Sequence, residues 1–89
     1  MKRIYCDIRL FTLEQNVYIV NPATGDRALV ASATLEELPE VISAISNDQS
    51  ISKVLLTGNS IFGQALAEDI LAYSHMNYNW NNIEVEVLK

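Results

Sequence analysis

Apolar and polar positions alternate near both ends of this chain and follow a helical period in the middle. In IYCDIRL, Ile4, Cys6, Ile8 and Leu10 point one way, and Tyr5, Asp7 and Arg9 the other. That spacing predicts a strand with one buried face. QNVYIV (Gln15 to Val20) and RALVASA (Arg27 to Ala33) predict two more strands. Between them, NPATGD (Asn21 to Asp26) has turn chemistry: proline presets one turn residue, and Gly25 permits a positive φ. Short connections between three strands predict an antiparallel meander.

The period then changes. Thr34 and Glu37 form a capping-box pair ahead of Leu35, Leu38, Ile42 and Ile45, which fall at helical spacing. Pro39 is one position too deep for a helix capped by Thr34. The first turn is therefore expected to be tight, with the regular helix beginning near Pro39. Asn47 to Ser50 is expected to be a polar turn. SKVLLTG (Ser52 to Gly58) predicts a fourth strand, its consecutive Val54, Leu55 and Leu56 suiting burial on both faces. A second helix follows, with Phe62, Leu66, Ile70 and Tyr73 as its inward stripe. Ser74 to Asn82 is expected to be a polar loop with aromatic inserts, and IEVEVLK a final edge strand. The expectation is one α/β domain over residues 1–89. It has a single mixed five-stranded sheet, a three-strand antiparallel meander followed by two helix-linked parallel strands, in the order β-β-β-α-β-α-β.

Composition narrows the chemistry. A chain of 89 residues buries roughly 60–65% of its unfolded surface, which leaves a small margin of stability. One cysteine excludes an internal disulfide, and one histidine leaves no Cys/His set for zinc. Self-association is then the expected source of extra burial. The net charge of −5, with no basic run, argues against general nucleic-acid binding and against anionic membranes. Asp7 and Arg9 interrupt any apolar stretch in MKRIYCDIRLF, and no run approaches a membrane span, so a cytoplasmic location is expected.

The element order resembles the ribonuclease H-like fold of RuvC-like nucleases and, in duplicate, of actin-like ATPases. Asp7 lies in the first strand, where these families place a key aspartate. VLLTGNSIFGQALAEDIL resembles the strand-loop-helix with which actin-like ATPases hold nucleotide, with Asn59 in place of a second glycine. The resemblance implies a small anionic-ligand or nucleotide site at Gly58, Asn59 and Ser60, or a divergent metal-dependent nuclease centred on Asp7. Nuclease chemistry needs several converging carboxylates, and the fourth strand ends in Thr57-Gly58-Asn59 without one. The turn also lacks the spacing and lysine of a phosphate loop. Its structural reading is a corner: Gly58 turns the chain, Asn59 or Ser60 caps the helix, and Gly63 allows close packing.

Cys6 reads as a small core residue, His75 as a helix-end residue, and Asp7 as a strand residue pairing with Arg9 or Arg3. No catalytic residue, metal site or cofactor is expected. SHMNYNWNNI, Ser74 to Ile83, interleaves four asparagines with Met76, Tyr78 and Trp80, a composition that suits interfaces. Phe11 and Leu13 sit where a hairpin tip should be polar. The expected function is therefore a non-enzymatic protein-interaction module, self-associating as a homodimer or docking through Phe11, Leu13, Tyr78 and Trp80. One concrete form is a phage-encoded inhibitor seated on a basic surface of a host protein.

Overall fold

The computed structural model describes residues 2–49, 51–58, 60–78, 80 and 83–88. Alternation in the sequence becomes five strands: β1 (Arg3–Ile8), β2 (Gln15–Val20), β3 (Arg27–Ala33), β4 (Lys53–Gly58) and β5 (Glu84–Leu88). They form one mixed sheet in the order β3-β2-β1-β4-β5. β1 pairs antiparallel with β2 and β2 with β3, whereas β4 runs parallel to both β1 and β5. With helices α1 (Leu38–Gln49) and α2 (Ile61–Asn77), the order is β-β-β-α-β-α-β. This is the mixed α/β arrangement expected from the hydrophobic pattern and implied by the ribonuclease H-like resemblance. The β2–β3 turn closes through Gly25 N–H to the Asn21 carbonyl at 2.7 Å, with Gly25 at φ 77°. Val17 pairs with Ala31 and Tyr18 with Leu29, so Val30 is an extra residue that bulges the outer strand.

Ile4, Cys6, Ile8, Val17, Val54 and Leu56 are buried on one face of the sheet, packed with Leu38 and Ile42 of α1 and Ala67 and Ile70 of α2. Both helices thus cover the same face. The capping box forms as expected: Glu37 N–H donates to Thr34 Oγ1 at 3.3 Å, and Thr34 Oγ1 donates to Glu37 Oε1 at 2.8 Å. Leu35 to Glu37 make the tight first turn, and α1 starts at Leu38 with Pro39 second.

Two helix ends lie beyond the expected boundaries. α1 runs through Asn47 to Gln49 instead of turning there. Ile51 N–H reaches back to the Ser46 carbonyl at 3.3 Å, and the buried Ile51 side chain anchors that closure. α2 runs three residues past Ser74 to Asn77, where Tyr78 N–H caps the Ser74 carbonyl at 2.8 Å.

The inward stripe of α2 is also corrected. Gly63, Ala67, Ile70 and Ser74 are buried, while Phe62 and Tyr73 are exposed and Leu66 is half-buried. Small residues face the sheet because the helix lies close to the end of β4. A Cβ at Gly58 would sit 2.3 Å from Gln64 N and Gly63 C. That contact needs glycine, and it rotates Phe62 away from the core.

Candidate functional site

The strand-carboxyl edge of the sheet gathers the ends of β1 and β4, the β1–β2 hairpin and the first turn of α2. The buried side chain of Gln15 organises the hairpin. Its Oε1 accepts from Arg9 N–H at 2.7 Å, and its Nε2 donates to the Arg9 carbonyl at 2.9 Å and to Thr12 Oγ1 at 3.2 Å. The amide thus takes both main-chain groups of Arg9, as a paired strand would. With the loop base clamped in this way, Phe11 is 99% exposed and Leu13 91% exposed.

Across the edge, Ser60 caps α2, its Oγ accepting from Gly63 N–H at 3.1 Å. The next two residues, Ile61 and Phe62, are 82% and 72% exposed. The elements meet around a cavity of about 280 Å³ bordered by Arg9, Leu10, Phe11, Thr12 and Ser60. The edge therefore presents four large apolar side chains on two rigid supports, a clamped hairpin and a capped helix. Phe11 and Leu13 are legible in the sequence. Ile61 and Phe62 are missed because the apolar spacing of α2 points Phe62 inward. The small residues at 63, 67 and 74 are the signal that could have placed it outward.

Tyr78 and Trp80 do not join this surface. Trp80 is fully buried in the core, and Tyr78 packs half-buried against it, its ring 6.3 Å from that of Tyr73. Both follow the far end of α2, so a helix length separates them from Phe11. The expected role of Trp80 as an interface anchor is corrected to packing, while Tyr78 keeps part of its surface exposed. The large indole closes the core where α2 leaves the sheet, with the turn held by Ile83 N–H on the Trp80 carbonyl at 3.0 Å.

Of the expected ligand set, Gly58 is committed to its contact with the α2 backbone and the Ser60 hydroxyl to capping. Asn59 lies outside the described residues. Asp7 has both oxygens engaged: Thr57 Oγ1 donates to Oδ1 at 2.9 Å, and Arg9 Nε to Oδ2 at 2.9 Å. It pairs with Arg9, as the structural reading of the sequence has it. Asp7 and Arg9 also line a polar cavity of about 410 Å³ with Tyr5, Tyr18, Glu14 and Arg27.

Among the described residues no three His, Cys, Asp or Glu side chains converge in a way that could hold a metal ion. Burial first, and the charge of Asp7 second, push the Cys6 thiol up to about 12, so it stays protonated inside the core. No helix among the described residues is long and apolar enough to cross a membrane.

No protein-family model matches the sequence, and no curated protein matches it. Among solved structures the chain is similar to the Aquifex aeolicus member of the Ppx/GppA protein family. The identity is 13% and the TM-score 0.47, over 99% of this chain and 35% of that chain. The chain thus spans about a third of the length of that protein.

Proposed function

We propose that this domain is a non-enzymatic protein-interaction module that docks through its strand-carboxyl edge, with Phe11, Leu13, Ile61 and Phe62 as the anchors. The observation that carries this reading is the exposure of those four side chains, none below 72%, on a single edge. Isolated exposed apolar residues are common, but a cluster of large ones marks a surface that a partner covers. Phenylalanines held on a pre-organised loop and helix lose little side-chain freedom on docking, which favours affinity.

Charge supports a basic partner. The two helices and the turn before α1 carry Glu36, Glu37, Glu40, Asp48, Glu68 and Asp69 and no lysine or arginine. Such a layer steers the domain toward a positively charged surface and leaves the apolar edge to supply the contact energy. The test is native mass spectrometry of protein purified gently from its host lysate, wild type beside Phe11→Asp/Phe62→Asp, with circular dichroism to verify folding. Loss of the co-purifying partner with an unchanged spectrum is the expected result. The same partner held equally by the folded variant would overturn the assignment of this edge.

A further inference from the structure

Both helices pack on one face of the sheet; on the second, the Arg27 guanidinium lies over the half-buried Tyr5 ring. The pairing registers draw one straight row across that second face: Leu29, Tyr18, Tyr5, Leu55 and Glu86, one residue from each strand. The first four make a continuous apolar belt of about 14 Å, from the usual strand spacing. Strands β1, β4 and β5 are parallel, and parallel sheets are almost always covered on both faces. Among the described residues no second layer covers these three strands.

We propose that the second layer is another copy of this chain, docked face to face about a two-fold axis running along β1. β1 is the middle strand of the five, so such an axis lays β3 over β5 of the partner subunit and β2 over its β4. The face complements itself under that operation. Tyr18 meets Leu55 of the partner subunit, and Tyr5 meets its own counterpart. At the β3 side stands Arg27, in no ion pair among the described residues. At the β5 side stand Glu84 and Glu86, two acids sharing the single amine of Lys53 at 3.4 and 3.0 Å. The axis brings Arg27 of each copy over Glu84 of the other, which shares its row, and Leu29 over Glu86. A partner of one charge sign would meet the wrong sign on one half of the face, and this is why a second copy fits better.

In the free chain Arg27 leans back over the Tyr5 ring, 4.2 Å from its centroid. Docking swings it outward and uncovers the ring for the apolar contact. Arg3 and Asp7 lie along the axis and face their own counterparts, the Asp7 carboxylate already paired with Arg9 at 2.9 Å. By the usual strand spacing and rise, five strands of about six residues present about 24 by 20 Å, about 480 Å² per copy in projection. That is at the small end of specific interfaces, so the dimer should be reversible and concentration-dependent.

The test is sedimentation equilibrium on the whole chain over a concentration series, with Arg27→Glu, Glu84→Arg and the two combined. Wild type is expected to pass from monomer to dimer. Each single reversal should weaken association about tenfold or more, and the combined variant should regain it, because the charges then match again across the axis. A role of Arg27 in monomer packing alone would not give that rescue. Phe11→Asp/Phe62→Asp should dimerise like wild type, since those side chains lie on the rim. A wild-type monomer at every concentration, a combined variant no better than the single ones, or a dimer abolished only by the rim variant would each overturn the proposal.

Discussion

Gly58→Ala tests the corner on which the whole edge depends. A Cβ built at this position meets Gln64 N at 2.3 Å, Gly63 C at 2.3 Å and Gly63 O at 2.7 Å. All three are backbone atoms, so no side-chain rotation relieves them. Carbon contacts settle near 3.5–4.0 Å, so α2 must retreat from β4 by about 1 Å or more. That retreat loosens the packing of Ala67 and Ile70 on Val54 and Leu56. Overpacking of this kind costs about 1–3 kcal/mol, and rigid backbone neighbours favour the upper end. The whole domain, at about 0.05–0.15 kcal/mol per residue, has only about 4–13 kcal/mol to lose. With a urea slope of about 1–3 kcal/mol per molar, the unfolding midpoint should fall by about 1–2 M.

Trp80, the single tryptophan and fully buried, reports the transition by fluorescence. Gly25→Ala is the control. Gly25 has φ +77° but nothing within 4 Å of its Cβ, so that change costs only the left-handed conformation, about 1–2 kcal/mol. A Gly58→Ala midpoint equal to wild type would refute the close approach. It would also reopen the turn as a ligand cradle, a role that substitutions at 58 cannot test while they unfold the corner.

Two further predictions follow from buried groups. Gln15→Ala strips the Arg9 N–H of its partner and leaves its carbonyl only Thr12 Oγ1 at 3.2 Å, and should cost about 1–3 kcal/mol by urea unfolding. It should also hasten proteolytic cleavage in the Arg9–Glu14 loop; an unchanged midpoint and cleavage rate would show that the amide clamp is idle. The Cys6 thiol, raised from 9.0 to about 12, binds its proton longer in the folded chain than in the unfolded one. Its contribution to stability is therefore complete below pH about 9 and lost as pH rises toward about 12. Cys6→Ala should remove that part of the alkaline loss in paired urea titrations, and parallel pH profiles for the two proteins would refute the assignment.

Much of this molecule is written locally. Two-residue alternation in β1 and β5, with β-branched and apolar runs in the other three, is enough to place five strands, and it says which side chains of β1 face the core, because a strand has only two faces. The Thr34–Glu37 capping box, the Gly25 turn, the burial of Cys6 and the Asp7–Arg9 pair are likewise decided by residues close in sequence or by a single strand's polarity. Phe11 and Leu13 stand out because apolar residues at a hairpin tip have nothing local to bury them.

What the sequence does not decide is how α2 is turned. Apolar residues recur almost all round this helix, from Ile61 and Phe62 through Leu66, Ile70 and Leu71 to Tyr73 and Met76, so periodicity selects no single face. The choice is made by the distance to β4: Gly58 lies so close to the Gly63–Gln64 backbone that the face turned to the sheet is Gly63, Ala67, Ile70 and Ser74. That one contact, between residues on two different elements, sends Phe62 outward to join Phe11 across the edge. Trp80 is decided in the same way. Its neighbours in the chain are polar, but the core left open at the end of α2 takes the largest apolar side chain within reach. Local pattern therefore determined the elements and their order, and tertiary packing decided which aromatic residues are core and which are surface.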